Sequence, residues 1–404
     1  MGNIYTQSPM QQGIFFHNMI SKDNIYYDQV RFDIKGAFSA DVFTKSIQVL
    51  INSHQALRSR YFLSNGDKPQ LEIMDSREQK VAYKDISGLT QDEQEHETEK
   101  VSLSSRTKKR SIADGEIMDI TLLKLSEDKH RVIWGCDHIA VDGWCMSLLV
   151  KELFEIYKKE ASGEAVSIDE EPYSAYLEWS NSFDNSNVKK YWQKYLDDAP
   201  KPFEFPIVSN SVDHSCTERN VYRHLIDEEK FRAVSELAKS NHLTPGTIIQ
   251  GLWGLLLCKY SDSSEAVWGC VVSGRSVPVK NADKMIGLFI NTLPLIMRLD
   301  KTKPLLPQLK ALAVDVFSGE FNGHINLTEI KDDREPIFNH IFAFENLEFA
   351  SMTDGITLSG LNIENPCFYD RTNYDLAVKT QPGKELIMDF EYNPKVYSLE
   401  TIED

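Results

Sequence analysis

The stretch WGCDHIAVDGWCMSLL, residues 134–149, joins two apolar patterns of different period through a short polar turn. The residues that lead into it, RVIWGCD at 131–137, form a mostly apolar run that is typical of a buried strand. After the turn, apolar side chains recur at helical spacing, and these are Met146, Leu149, Val150, Leu153 and Tyr157. Between the two patterns lie three ionisable residues and a glycine, which are Asp137, His138, Asp142 and Gly143. The sequence therefore predicts a strand, a turn with three ionisable groups, and a helix.

The turn has two interpretations on spacing alone. His138 and Asp142 form an H-x-x-x-D pattern, which is short and common by chance, so a core histidine and a helix N-cap aspartate are the simpler explanation. Alternatively, Gly143 permits a backbone that a larger residue would resist, and the turn then points the imidazole out of the sheet. Cys145 stands at the helix start, where a thiolate is stabilised, although a small packing residue is the simpler interpretation.

Few other patterns in the sequence suggest a catalytic nucleophile. The chain has no G-x-S-x-G elbow and no P-loop. The chemistry that remains needs one proton acceptor and two ligands that are held together in a cleft. This combination favours direct acyl transfer without a covalent enzyme intermediate.

The composition indicates a globular protein with more than one core. A chain of 404 residues predicts two or three domains, or two large lobes, and 41% hydrophobic with 26% charged residues is ordinary for a soluble protein. The net charge of −17 disfavours nucleic acid as a partner, because a phosphate backbone needs a basic surface. The basic run RTKKR at 106–110 is interpreted as a solvated face.

Targeting, membrane and metal signals are weak or missing in the sequence. The N-terminal residues lack a basic segment followed by an apolar core, and no apolar stretch approaches 18 residues, so we expect neither a signal peptide nor a membrane partner. The six cysteines are scattered without a C-x-x-C pair, which favours reduced thiols and a cytoplasmic location. The ten histidines show no H-E-x-x-H spacing, so we expect no metal site.

The order of the elements predicts an α/β fold with two similar halves. A helix begins after the N-cap candidate Ser39, and a second buried helix begins after Thr244 with Pro245 in its first turn. Residues 161–187 are expected to be a connection. Each half ends a strand on a polar turn, and ligands gather at such strand ends. The predicted site is therefore a cleft between the halves.

The turn resembles the HHxxxDG signature of the condensation domains of non-ribosomal peptide synthetases, with Asp137 in place of the first histidine. Five further segments match motifs of that family in the expected order. They are SPMQQGIFFH at 8–17, HQALRSRYF at 54–62, YWQKYL at 191–196, GRSVPVKNADKMIGLFINTLPL at 274–295 and TNYDLAV at 372–378. Each motif is short, but six in order are specific, and they extend over nearly the whole chain.

The resemblance implies a fold of two chloramphenicol-acetyltransferase-like lobes in a V-shaped pseudo-dimer, with the active site at their junction. Residues 1–175 would be the N-terminal lobe that carries the DHxxxDG turn, and residues 176–404 would be the C-terminal lobe that closes the substrate tunnel. The implied reaction is attack of a carrier-bound aminoacyl amine on a carrier-bound acyl or peptidyl thioester. The implied partners are donor and acceptor peptidyl carrier proteins with their phosphopantetheine arms, and an adjacent adenylation domain if the chain is part of a larger synthetase. The domain itself would bind no cofactor.

The same resemblance assigns roles to individual residues. His138 matches the catalytic histidine, Asp142 matches a structural aspartate, and Arg58 matches the arginine expected to pair with it. Gly143 matches the glycine of the turn. The residues assigned to the tunnel or to substrate positioning are Trp144, Arg275, Asn291 and Asn373. A free α-amine titrates near 8, roughly, so His138 would either take a proton or simply position the amine.

Asp137 departs from the family pattern and leaves three interpretations open. The position is structural, and an aspartate that hydrogen-bonds nearby groups serves as well as a histidine. Alternatively, Asp137 and Asp142 form the D-x-x-x-x-D pattern of heterocyclization domains, which also cyclodehydrate a Cys, Ser or Thr acceptor. The third interpretation is a non-catalytic docking platform of the same fold. The retained His138 and Gly143 favour condensation.

Overall fold

The computed structural model describes residues 2–20, 26–64, 66, 68–208, 212–216, 218–326, 329, 336–345 and 360–404. The chain divides into two compact units. The first contains Met1–Phe183, Pro278–Phe289 and Phe349–Thr372, and the second contains Asp184–Val277, Ile290–Glu348 and Asn373–Asp404, apart from the undescribed residues within these ranges. The boundary expected between residues 175 and 176 falls inside a helix, and two later segments pack with the first unit.

Helices and strands are interspersed along the described chain. The helices are α1 (Pro9–Ile20), α2 (Ala40–Ser53), α3 (Gln91–Thr107), α4 (Gly143–Ser162), α5 (Tyr173–Ser182), α6 (Ser186–Leu196), α7 (Glu228–Ser240), α8 (Pro245–Tyr260), α9 (Leu305–Phe321) and α10 (Leu399–Glu403). The strands are β1 (Asn3–Thr6), β2 (Tyr27–Gly36), β3 (Ser59–Leu63), β4 (Pro69–Ile73), β5 (Val81–Asp85), β6 (Met118–Lys124), β7 (Lys129–Asp137), β8 (Asn220–Ile226), β9 (Glu265–Val272), β10 (Asn291–Arg298), β11 (Ile341–Phe344), β12 (Leu361–Tyr369), β13 (Leu376–Pro382) and β14 (Leu386–Tyr392). Two single turns of 3₁₀ helix are Ala56–Arg58 and Ile112–Asp114.

The first unit is built on a five-stranded sheet with the order β12-β2-β7-β6-β5. The pairs β12–β2, β2–β7 and β7–β6 are antiparallel, and β5 joins β6 in parallel. The strand β12 comes from late in the chain, yet it pairs along nearly all of β2. A smaller sheet with the order β1-β4-β3 completes the described strands of this unit.

The strand β7 is central because it is buried on both faces. Its apolar residues from Val132 to Cys136 include Trp134, which is fully buried, and the run has no exposed residue. A strand covered on both faces reads as a continuous apolar run, which explains why the sequence shows no alternation here. The helix α4, which follows β7, buries the apolar face predicted from its spacing and packs against α2. The turn between β7 and α4 is thereby fixed at both ends.

The second unit contains a six-stranded sheet with the order β10-β9-β11-β13-β14-β8. Its helix α8 begins after Thr244, whose side chain accepts a hydrogen bond from the Thr247 backbone N–H, and Pro245 is the first helical residue. Ser39 caps α2 in the same way through Val42. Both predicted helix starts are therefore confirmed.

The expected connection at 161–187 is wrong in its middle, because this stretch contains the helix α5. Its buried residues are Tyr173, Tyr176 and Leu177, and they recur at helical spacing among acids, serines and asparagines. The flanking residues have the composition of a loop. The prediction followed that composition and missed the short apolar period of the helix.

Gly135 in β7 provides a test of this packing. A Cβ at this position would lie 2.3 Å from the Tyr27 ring, which belongs to the neighbouring strand β2. We expect Gly135→Ala to displace that ring and to lower stability by about 1–3 kcal/mol in chemical unfolding. Gly88→Ala is the matched control, because a Cβ there meets no atom within 4 Å. Equal stability of the two variants would contradict the close packing of Tyr27 on Gly135.

Candidate active site

The strand, turn and helix predicted from the opening stretch all form. The strand β7 ends at Asp137, and the backbone N–H of Ala140 donates to the Asp137 carbonyl oxygen at 3.0 Å, which closes a turn. The His138 backbone N–H donates to the Tyr26 carbonyl oxygen at 2.9 Å, so the start of the turn is still tied to the chain that leads into β2. The helix α4 then begins at Gly143.

The helix α1 contacts the turn through a buried hydrogen bond. The backbone N–H of Ser8 donates to the Gln11 side-chain oxygen at 3.0 Å, and the Gln11 N–H donates back to the Ser8 hydroxyl at 3.3 Å. This reciprocal pair fixes the start of the helix. The Gln11 amide then donates to the Ile139 carbonyl oxygen at 3.1 Å, and the whole arrangement is buried. The SPMQQ segment therefore contributes directly to the geometry of the turn.

Asp137 and His138 direct their side chains to opposite faces of the sheet. Side chains alternate along a strand, and residues that pair across two strands share a face. Asp137 pairs with Tyr27, whereas Cys136 pairs with Asp28. The side chain of Asp137 therefore lies on the face of Tyr27. His138 follows the end of β7, and its ring lies on the face of Asp28, because Nε2 of His138 is 4.0 Å from Oδ2 of Asp28.

The imidazole of His138 is partly exposed and has a fixed tautomer. Its side chain is 17% exposed, and Nδ1 lies 2.8 Å from the Val141 carbonyl oxygen. A carbonyl oxygen only accepts hydrogen bonds, so Nδ1 must carry a proton. In the neutral ring, Nε2 therefore presents its lone pair. Nε2 lies 4.0 Å from Oδ2 of Asp28, which is itself 1% exposed.

The surrounding carboxyl groups control the basicity of His138. Burial lowers the pKa of the imidazole, but the carboxylates of Asp28 and Asp142 and the hydrogen bonds with backbone groups together raise it by more, so the pKa of His138 lies above its usual value. A raised pKa makes the ring a better proton acceptor. The position of His138 and its electrostatic surroundings both suit a group that takes a proton.

Asp142 is the N-cap of α4 and also holds a distant segment. Its Oδ1 accepts from the Cys145 backbone N–H at 3.1 Å, and its Oδ2 accepts from the Phe289 backbone N–H at 3.1 Å. The side chain is buried. The N-cap interpretation of the sequence is confirmed, and the same carboxylate attaches the segment Pro278–Phe289 to the first unit.

The predicted pair between Asp142 and Arg58 requires correction. The Arg58 guanidinium lies 3.7 Å from the Glu170 carboxylate and donates to the Met74 carbonyl oxygen, and it forms no ion pair with Asp142, which is also described. Arg58 ends a 3₁₀ turn that faces Glu170, while the Asp142 oxygens accept from backbone N–H groups. Arg58 therefore binds Glu170 and the Met74 backbone within the first unit, rather than the aspartate of the turn.

Gly143 has a different role from the predicted one. It is the first residue of α4, and its φ is not positive, so the turn does not depend on the left-handed freedom of glycine. Asp142, with extended φ and ψ of −111° and 172°, makes the change of direction instead. Cys145 is fully buried, and its thiol contacts the Gly287 carbonyl oxygen at 3.1 Å, which confirms the packing interpretation.

The Asp137 carboxyl is buried, 1% exposed, on the other face of β7. Its Oδ1 accepts from the Ile139 backbone N–H at 3.0 Å, which braces the turn, and its Oδ2 accepts from the Asn18 amide at 3.5 Å. Burial raises the pKa of this carboxyl to about 6, although the charges of His138 and Arg110 oppose the shift. Asp137 therefore titrates in the range where enzymes are assayed.

Asp137 also lines a cavity of about 680 Å³ within the first unit. Phe15 and Met19 of α1 form part of its wall, and Lys109 and Arg110 of the basic run form another part. The interpretation of that run as a solvated face is wrong for Arg110. Its side chain is buried, its guanidinium lies 3.9 Å from the Tyr27 ring centre, and it pairs with Asp119.

The four residues assigned to the tunnel lie in both units. Trp144 belongs to the first, where its indole N–H donates to the Asp283 carbonyl oxygen at 2.9 Å and its side chain stays partly exposed. Arg275, Asn291 and Asn373 belong to the second, after β9, at the start of β10 and before β13. Their contribution to a substrate site stays a prediction.

Metal-binding clusters and membrane-spanning helices are both missing from the described part of the chain. No group of three or more His, Cys, Asp or Glu side chains within the described ranges is arranged to hold a metal ion. None of the helices in the same ranges is long and apolar enough to cross a membrane.

The family model described as the condensation domain matches residues 1–404, the full length of the chain. The chain belongs to the condensation-domain family. The membership that the six ordered motifs predicted is therefore confirmed.

The curated relatives of this condensation domain are much longer synthetases. Bacitracin synthase 3 of Bacillus licheniformis is 29% identical over 410 residues, which cover 99% of this chain and 6% of that protein. Gramicidin S synthase 2 of Brevibacillus brevis is 26% identical over 412 residues, which cover 99% of this chain and 9% of that protein. The chain thus spans only a small part of the relatives that it matches.

Solved condensation domains share the fold of this one. A variant of the starter condensation domain of rhizomide synthetase, in complex with C8-CoA, aligns with a TM-score of 0.80 at 16% identity, over 99% of this chain and 92% of that chain. The condensation enzyme VibH aligns with a TM-score of 0.76 at 17% identity, over 97% and 91%. The predicted α/β fold of two chloramphenicol-acetyltransferase-like lobes is confirmed. The V-shaped arrangement of the lobes stays a prediction.

Sequence reasoning missed two polar residues that surround the turn of this condensation domain. Asp28 approaches the ring of His138, and Asn18 donates to Asp137. Asp28 is one of two buried aspartates in the mostly buried strand β2, the other being Asp33, and buried charged residues are uncommon. Its partner becomes visible only when the register of β2 against β7 is known.

Asp142 gives a test of the turn. We expect Asp142→Ala to cost about 2–4 kcal/mol, because the change removes a helix cap and leaves the buried Phe289 N–H without its acceptor. Asp142→Asn should cost less, since its amide oxygen can still accept one of these bonds. The matched control is Asp227→Ala, which removes an exposed cap and an exposed ion pair with Lys230 from α7 and should still cause a smaller loss. Urea unfolding measures all three, and equal losses for the two alanine variants would contradict the role of Phe289.

The raised pKa of Asp137 predicts a pH-dependent stability difference. A carboxyl whose folded pKa is about 6 rather than 3.8 destabilises the folded state as pH rises through this window, and the penalty is complete above it. Asp137→Asn cannot ionise, so its stability relative to the wild type should rise between pH 4 and pH 6 by up to about 3 kcal/mol. Unfolding midpoints measured from pH 4 to pH 8 give the comparison. A difference that does not change with pH would contradict the shift.

Proposed function

We propose that this domain forms an amide bond between a carrier-bound aminoacyl amine and a carrier-bound acyl or peptidyl thioester. The observation that supports the proposal most directly is His138, whose Nδ1 is engaged by Val141 and whose Nε2 lone pair is therefore available. The buried Cys145 beside the turn is placed for packing rather than for nucleophilic attack. One proton acceptor without a neighbouring nucleophile suits direct aminolysis of a thioester.

The proposed reaction uses few protein groups. The amine nitrogen of the acceptor attacks the thioester carbonyl carbon, and the new ammonium centre must lose a proton before the intermediate collapses. Nε2 of His138 takes this proton, the carbon–sulfur bond breaks, and the leaving thiolate is protonated. A free α-amine is neutral in an appreciable fraction near pH 7, so a stronger base is unnecessary. The raised pKa of His138 supports this use of the ring.

The proposed partners follow from the same reaction. Two peptidyl carrier proteins would deliver the substrates on phosphopantetheine arms, which act here as parts of the substrates. An adenylation domain would load the acceptor carrier. The long synthetases among the relatives support a place within such an assembly, and the six unbridged cysteines suit the cytoplasm. Trp144, Arg275, Asn291 and Asn373 would contact the substrates or shape their path.

The geometry favours condensation over heterocyclization. In the alternative, Asp137 and Asp142 would act together as a D-x-x-x-x-D pair. Asp137 instead lies on the Tyr27 face of the sheet, and the Asp142 oxygens are engaged by two backbone N–H groups. His138 remains the ionisable group of the turn with an available lone pair.

Product analysis with His138 variants tests the proposal. We expect the wild-type domain, mixed with a panel of loaded donor and acceptor carrier proteins, to yield a linear amide by mass spectrometry. His138→Ala should lower its rate about 10²- to 10⁴-fold, because the proton acceptor is lost. His130→Gln is the matched control, since His130 is a buried histidine at the opposite end of β7.

Other outcomes of the product analysis would support one of the alternative functions. A product lighter by a further water would indicate heterocyclization, and no product with any loaded pair would favour the docking platform. An amide formed at nearly the wild-type rate by His138→Ala would contradict the proposed role of His138.

A further inference from the structure

Asp28 is a buried carboxyl group beside the imidazole of His138, and no family motif in the sequence contains it. It is the second residue of β2 and pairs with Cys136 of β7. Its side chain points to the face of the sheet on which the ring of His138 lies. Oδ2 of Asp28 is 4.0 Å from Nε2 of His138, and Asp28 is 1% exposed.

Asp28 approaches the ring nitrogen on which a proton would arrive. Nδ1 of His138 already carries a proton for the Val141 carbonyl oxygen, so Nε2 is the site of further protonation. A proton there creates a cation directly beside the Asp28 carboxylate. Opposite charges at this distance attract strongly when water is largely excluded.

The two other carboxyl groups near His138 have different duties. Asp142 accepts from the backbone N–H groups of Cys145 and Phe289, and Asp137 lies on the opposite face of the sheet. Among the described residues, Asp28 is the acidic side chain within ion-pair distance of the ring. This geometry separates the three carboxyl groups by function.

We propose that Asp28 is a positioning residue for the condensation reaction, in which its carboxylate stabilises the protonated Nε2 of His138. The inference rests on the proposed function. The acceptor amine forms its bond to the thioester carbonyl carbon and gives one proton to Nε2, and the carbon–sulfur bond breaks. The leaving thiolate then takes that proton, so His138 returns to its neutral form. Asp28 keeps its charge throughout and exchanges no proton.

Asp28→Asn removes the charge while it preserves the shape of the side chain. We expect the pKa of His138, followed by NMR of the ring protons, to fall by about 1 unit or more. The kcat for amide formation should fall roughly 3- to 10-fold, and KM for the acceptor should change by less than about 2-fold. His138→Gln identifies the His138 signal in the spectra. A purely structural role for Asp28 would lower stability and leave the pKa of His138 unchanged.

Asp33→Asn is the matched control on the same strand. Asp33 is also buried, but it pairs with Arg131 and Lys129, and it lies on the opposite face from Asp28. This variant should lose stability and keep the wild-type pKa of His138. If the pKa of His138 fell equally in both variants, the inference would be overturned, because the fall would then follow from a disturbed strand.

Further outcomes would also overturn the proposed role of Asp28. An unchanged pKa of His138 in Asp28→Asn would overturn the inference, and so would a lowered pKa with an unchanged kcat. If Asp28→Asn does not fold, the wild-type titration decides, and a pKa of His138 at or below 6.5 would overturn the inference. The titration needs no substrate. Failure of the wild type to form any amide would instead overturn the proposed function, which separates the two failures.

Discussion

The Asp142 carboxylate holds the turn on which the rest of the site depends. One oxygen caps the helix α4, and the other accepts from the Phe289 N–H, 147 residues away in the chain. A buried carboxylate is tolerated only where hydrogen bonds replace its water, and here both oxygens accept from backbone N–H groups. One side chain thus links the start of α4, which follows the turn at His138, to the segment Pro278–Phe289.

This constraint allows the neighbouring ionisable groups to do different work. His138 begins the turn, and its tautomer is set by the Val141 carbonyl oxygen within the same turn. Asp137 and Asp28 lie on opposite faces of the sheet, so one carboxyl braces the backbone while the other influences the ring. The sequence alone does not show which of the three carboxyl groups near His138 acts on its ring. The strand register separates Asp28 from Asp137 by placing them on opposite faces of the sheet.

Local patterns in the sequence predicted the elements that local physics controls. The caps Ser39 and Thr244, the apolar face of α4 and the strand before His138 all follow from side-chain spacing and composition. The ordered motifs predicted the family. The partner of Arg58, the face of Asp137 and the importance of Asp28 did not follow, because they depend on register and on which distant groups meet. The helix α5 was missed because its apolar period lies within a stretch of loop-like composition.

The late strand β12 has a consequence for how this protein is made. It covers the outer edge of β2, the strand that carries Asp28, and it is supplied by Leu361–Tyr369. During synthesis the ribosome releases β2 long before β12 exists, so this edge of β2 stays unpaired until the chain has been made as far as β12. Exposed edges promote association with other chains. A nascent chain would therefore depend on rapid synthesis of β12 or on chaperones to prevent this edge of the first unit from associating with other chains.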